Sequence, residues 1–431
     1  MKNMSTFQIV VVSFFGVCMI FGIAVFSLSK TSSPSQNFNL VVWGTMNEDV
    51  FNKALSASSI AKSKTIKVAY VKKDSSTFDT EFIESLADGK GPDIVILRED
   101  SMYKHRNKIF TIPFGSYPEE VFNSTFIEIG ELFLNKEGVF AVPFMVDPLV
   151  MYWNRDMFSN NDIALPPVYW DQIDPLIEKM THRDNNANIL KSAVALGEWK
   201  NINNAKEIIS MLFMQAGTPI TMRNQAGNIN SVLNSQFDKP VVPSQAGLNF
   251  YLKFSNPTSP SYTWNRSLPT SLNFFLSGDL GIYIGFASEI FSIQQKNSNL
   301  NFHVVSVPQI RDTEKKIVFG HLYGLALVKQ SKQLPGAFTA IKALTEVNSL
   351  KSLEVSTNLP PVRRDMLADK PLEAFRSVFY SSALISRSWI DPNPTETTNG
   401  FRDMIESITS GRSRVTDSLG NLNEIISSNL K

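Results

Sequence analysis

Hydrophobic and polar positions switch between two periods along most of the chain. Residues 39–43 (NLVVW) form a short apolar run that ends at Gly44. Residues 48–60 then carry Val50, Phe51, Leu55 and Ile60 at helix-like spacing. Residues 65–71 (TIKVAYV) alternate and are rich in β-branched side chains, which predicts a strand. Phe78, Phe82, Ile83 and Leu86 share one face of a helix, and residues 93–97 (DIVIL) read as a buried strand after the Gly91-Pro92 turn. Strand, helix, strand, helix, strand implies parallel βαβ units with helices covering the sheet. In open sheets of this kind ligands sit beyond the carboxyl ends of the strands. Those ends fall at Trp43-Gly44 and at residues 97–100.

The centre of the chain is richer in helix. Residues 205–215 are amphipathic and 244–254 also fit a helix. Strands are expected at 280–284, 302–307 and 322–328, and Pro335 opens a helix that runs to 345. Beyond Pro360-Pro361 the pattern is helical, interrupted by a polar loop at 391–400.

The amino-terminal pattern is of another kind. Residues 7–28 contain no charge, and 22 residues of helix span about 33 Å, enough for a hydrocarbon core of about 30 Å. We expect a transmembrane anchor there, followed by a Ser-rich linker at 29–37. A cleaved signal ending near Ser27-Leu28-Ser29, or lipid attachment at Cys18, are the alternatives. Lys2 and the terminal amine place the short side in the cytoplasm and everything after residue 30 outside it.

Composition narrows the function. The 431 residues carry 41 basic and 40 acidic side chains, so a near-neutral balance gives no electrostatic reason to expect nucleic acid. One cysteine excludes a disulfide framework and a thiolate zinc site. The length suggests two or three folding units at about 150 residues each. His105, His182, His303 and His321 show no metal-binding spacing, and neither a nucleophile elbow nor a phosphate-binding loop occurs. No catalytic residue, metal or cofactor is expected.

Aromatic and carboxylate positions fall instead at loop entrances: Trp43, Asp100, Asp147, Trp199, Phe286 and Tyr323. Rings cover the flat C–H faces of a sugar, while carboxylates and amides bond its rim of hydroxyls. Such a mixture suits a polar, uncharged small molecule. Taken singly, each of these side chains reads first as core packing; only their positions relative to the strands favour a site.

The order of motifs resembles the extracellular solute-binding proteins of ABC importers, family 1, over about 38–380. Gly91-Pro92-Asp93-Ile94-Val95 is similar to that family's Gly-Pro-Asp strand, with Asp100 where a sugar-binding acid is often placed. Val142-Pro143-Phe144 through Tyr152-Trp153-Asn154-Arg155-Asp156 is the most specific match and puts Asp147 at the ligand-facing hinge. Pro166-Pro167 to Asp171 resembles the opening of a helix, with Tyr169 in place of the usual Thr. Gly197-Glu198-Trp199 stands where an acid and an aromatic contact sugar, and residues 275–286 end in Phe286 rather than the family's Trp. Residues 320–327, Asn358-Leu359-Pro360 and Val362-Arg363-Arg364 match the late segments.

The resemblance implies an α/β, two-lobed periplasmic-binding-protein-like fold (type II) after the transmembrane helix. Lobe 1 is expected at 38–147 and 302–350, lobe 2 at 152–301 and 351–431. It further implies a monomeric receptor that holds a carbohydrate between lobes closing by hinge motion, then docks on a membrane permease. The expected ligand contacts are Trp43, Asn47, Asp100, Asp147, Glu198, Trp199, Phe286, Tyr323 and Arg363. A second reading keeps the anchor and the fold but assigns a peptide, lipid or protein partner without import; a secreted glycan hydrolase is a third.

Overall fold

The computed structural model describes residues 37–313 and 315–430. The expected membrane segment and most of the linker therefore lie outside the described residues. Among the described residues no helix is long and apolar enough to cross a membrane.

The first third folds as the alternation predicts. Strands β1 (Phe38–Gly44), β2 (Ile66–Lys72) and β3 (Ile94–Arg98) are parallel neighbours in the order β2-β1-β3. Helix α1 (Glu48–Ala57) joins β1 to β2 and α2 (Phe78–Ala87) joins β2 to β3. Asn47 caps α1, accepting the Asp49 backbone N–H at 3.0 Å, and Glu48 and Asp49 complement the helix dipole in the first turn. Phe51 and Ala54 face the sheet, and Ile94–Leu97 of β3 are buried throughout, as a central strand must be.

Four longer-range strands complete the sheet: β4 (Val142–Asn154), β5 (Ile189–Val194), β6 (Leu280–Phe286) and β8 (Val318–Val328), with β7 (Phe302–Val305) paired beside β4. The spatial order is β2-β1-β3-β8-β4-β6-β5. Here β8 runs antiparallel to both β3 and β4, β6 runs antiparallel to β4, and β6 and β5 are parallel.

Two hydrophobic cores lie along this sheet. Val142–Val146 of β4 pack into the first and Leu149–Tyr152 into the second. Strand β8 does the reverse, with Val318 and Phe319 in the second core and Leu322–Val328 in the first. Both strands thus cross from lobe to lobe side by side, with His321 opposite Asp147 at the crossing. A third passage carries the short strand Ser386–Arg387, which pairs in parallel with Val318 and Phe319.

The expected changeovers at 302 and 351 both fall within continuous packing. Strand β7 pairs antiparallel with the second-lobe end of β4, from Phe302 opposite Asn154 to Val305 opposite Met151, so the chain returns to the first lobe only at 320–322. Helix α4 (Val347–Thr357) packs on α1, where Ser349 donates to the Ala54 carbonyl at 3.0 Å. Leu350, Leu353, Val362 and Leu367 accordingly belong to the first core.

Second-lobe helices include α3 (Ala205–Ala216), α5 (Pro394–Thr409) and α6 (Val415–Asn429). Helix α3 is buried on nearly every face, a tertiary override of its expected amphipathic placement. Helix α5 begins inside the expected loop at 391–400, because Asn393 caps it through the Glu396 N–H and Pro394 supplies the first turn.

Candidate ligand-binding cleft

A cavity of about 290 Å³ opens beyond the carboxyl ends of β1 and β3. Thr45 follows β1; Arg98, Asp100 and Ser101 follow or end β3; Tyr323 comes from β8; and Pro394 of α5 closes it from the second lobe. Tyr323 points this way because a bulge between Tyr323 and Gly324 shifts the β8–β4 register. Gly324 is required there: a Cβ would lie 2.5 Å from a ring carbon of Phe133.

The polar groups of the cleft are paired but not saturated. Arg98 forms an ion pair with Asp100. Burial opposes ionisation of Asp100, yet Arg98, His321 and Lys206 outweigh it and hold the carboxyl below its ordinary range. Asp79, at the start of α2, also lines the cavity and is held ionised first by His105, at 2.8 Å, and then by Lys104. From the second lobe Lys206, in the first turn of α3, bonds Asp391 at 2.7 Å, Thr397 at 2.9 Å and the Pro394 carbonyl at 3.5 Å. An ionised carboxylate offers about four acceptor sites, so Asp100 keeps capacity for ligand hydroxyls.

Behind the cleft lies a buried cluster at the strand crossing. His321 Nδ1 donates to Glu99 at 2.8 Å, and the Leu322 backbone N–H donates to the other oxygen of Glu99 at 2.8 Å. Ser388, from the third passage, donates to Glu99 at 3.2 Å. Glu207 of α3 lies 3.9 Å from His321 Nε2, and Phe286 stacks on the imidazole with ring centroids 4.6 Å apart. Burial disfavours the imidazolium, but Glu99 overrides it and lifts the His321 pKa. Asp147 accepts the Ser288 backbone N–H at 3.0 Å, and burial pushes its carboxyl up to about 6.

A family model described as bacterial extracellular solute-binding protein matches residues 51–347. The chain belongs to this family. This solute-binding protein also shares its fold with solved structures of low identity. A cyclo/maltodextrin-binding protein complexed with maltotetraose aligns over 93% of this chain and 99% of that one, at TM-score 0.75 and 17% identity. The cyclic alpha-maltosyl-1,6-maltose binding protein from Arthrobacter globiformis aligns over 92% and 99%, at 0.73 and 15%. An ABC substrate-binding protein from Listeria monocytogenes in complex with cycloalternan aligns over 91% and 99%, at 0.67 and 14%. Curated protein sequences give no match.

Of the residues expected at the site, Asp100 and Tyr323 line the cleft of the solute-binding protein. Asp147 and Phe286 sit in the crossing cluster behind it. Trp43, near the end of β1, lies in the first core with the Lys73 ammonium 3.8 Å over its ring, and Asn47 is occupied as the cap of α1. Glu198 is buried and pairs with Arg266, which donates to Thr409. Thr409 ends α5 while Pro394 begins it, a separation of about 22 Å along the helix. Trp199 packs part-buried on the second core. Arg363 binds Asp365 at 2.6 Å and the Thr345 carbonyl at 3.3 Å, on the first lobe.

Arg98, Glu99, Asp79, Lys206 and His321 were not singled out from the sequence for these roles. The signal for Arg98 and Glu99 was adjacency to Asp100 at a strand end; His321 and Lys206 carried none, since their partners lie 185 to 222 residues away. Among the described residues no group of three or more His, Cys, Asp or Glu is placed to hold a metal ion.

Proposed function

We propose that this protein is the extracytoplasmic receptor of an ABC importer and binds a carbohydrate in the cleft between its lobes, without catalysis. The observation that carries the reading is Asp100, held ionised by Arg98 at the wall of a cavity rimmed by the hydroxyls of Thr45, Ser101 and Tyr323. Charge-assisted bonds from a desolvated carboxylate to sugar hydroxyls are among the stronger hydrogen bonds a neutral ligand can make. Sugar-bound relatives of the same fold support the ligand class, and the family supports the extracytoplasmic placement.

The lobes would close by bending where β4 and β8 cross, and the closed form would dock on a membrane permease, with the chain retained near the membrane by residues 7–28. A thermal-shift screen of saccharides tests this: the right sugar at a hundredfold excess over its Kd should add about 2.7 kcal/mol of stability. Stabilisation by peptides or lipids and by no saccharide would replace it with the reading of a surface binding protein.

A further inference from the structure

The chemistry of the cleft walls also bears on the size of the ligand. Resting on the carbohydrate reading above, we infer that the cleft is built for a neutral saccharide of one or two rings, gripped at its hydroxyls and not sandwiched between aromatic faces. Three observations converge on this.

The aromatic side chains expected to stack on a sugar are committed elsewhere. Phe286 has its face on His321, with the planes 22° apart. Trp43 is 9% exposed and lies under the Lys73 ammonium. Trp199 packs on the second core, next to a Glu198 that is tied through Arg266 to the far end of α5. Of the two aromatics that line the cavity, Phe78 is buried against Phe82 in the first core, which leaves Tyr323. A long oligosaccharide gains its affinity by laying successive rings on successive aromatic faces; one face supports one ring.

The charges are balanced inside the cleft itself. Arg98 answers Asp100, Lys104 answers Asp79, and Lys206 answers Asp391. An anionic or cationic sugar would have to displace one of these pairs. A neutral one adds hydroxyls to the free lone pairs of the carboxylates and accepts from the guanidinium.

The space is small. A volume of about 290 Å³ stands at the lower limit of pockets for drug-sized ligands, which begin near ~300 Å³. The second-lobe wall at Pro394 is held by the Lys206 ammonium, which meets four oxygens, the Pro394 carbonyl among them.

Calorimetric titration of the full chain with homologous series tests the inference: glucose, maltose and maltotetraose, then mannose, mannobiose and mannotetraose. The expected result is binding of a one- or two-ring member, with its four-ring homologue no more than threefold tighter. A more than tenfold gain from two rings to four overturns the size assignment and leaves the carbohydrate reading standing. Binding by no member of either series overturns both. Two variants separate hydroxyl contacts from stacking in whichever series binds. Tyr323→Phe should weaken binding at least threefold, and no change would overturn the reading of a grip by hydroxyls. Trp199→Ala should keep affinity within twofold, and a tenfold loss would place that indole in the site and overturn the inference.

Discussion

Glu99 and Asp100 are adjacent carboxylates at the end of one strand, yet they serve opposite environments. Glu99 is 1% exposed and turns into the strand crossing, where an imidazole, a backbone N–H and a serine hydroxyl saturate it. Asp100 turns into the cleft, meets one guanidinium and keeps acceptors free. The contrast teaches where a carboxylate is structural and where it is available: the more fully bonded one fastens the lobes' joint, and the other is the one we propose bonds the guest. Burial alone does not separate the two, because both are largely removed from water; the count of satisfied acceptors does.

The sharpest way to break the comparison is to remove each carboxylate in turn. Glu99→Ala should cost about 3–5 kcal/mol in chemical denaturation, since it strands His321 and the Leu322 N–H in a buried site. A loss below about 1 kcal/mol would mean that the crossing does not depend on this pair.

Asp147 tests the same cluster through pH. Its carboxyl is raised to about 6, so the folded state binds the proton more tightly than the unfolded chain does. Stability therefore falls as pH rises from about 4 to about 6 and stays reduced above that window. Asp147→Asn, which keeps an acceptor for the Ser288 N–H, should leave stability near wild type at pH 4 and raise it by about 2–3 kcal/mol at pH 8. Equal effects at both pH values would contradict the burial account.

Asn47 is the expected contact that the fold spends on a helix start. Asn47→Ala should cost about 1 kcal/mol through the lost cap, read in thermal unfolding. The smallest change in stability is expected at Asp100. Asp100→Asn should stay within about 1 kcal/mol, because the Arg98 side chain is 41% exposed and its pairing is screened. The same variant should weaken sugar binding at least tenfold in titration.

Much of the fold was legible because it rests on local periodicity. Strands β1, β2 and β3 are short apolar or alternating runs, and their parallel pairing follows from the helices between them. Asp100 was legible because it follows a strand that a Gly-Pro turn announces. His321 was not, because a lone histidine in an apolar strand shows nothing of a carboxylate 222 residues earlier. The start of α5 was missed for a different reason: its first turn is polar and proline-led, and only the Asn393 cap and the Lys206–Asp391 pair reveal a helix end facing the cleft. The aromatic positions misled where composition could not say which ring face was already covered, as with Phe286 under His321.

Strands β4 and β8 stay hydrogen-bonded to each other as they pass the lobe boundary, from Pro148 opposite Gly320 to Val146 opposite Leu322. The joint is therefore a ribbon and not a thread. A ribbon flexes readily across its flat face and resists being sheared or spun within its own plane, so the lobe closure proposed above would follow one direction of travel. A guest that wedged the halves along that direction would work against the elasticity of a paired backbone, and its release would return the molecule along the same track.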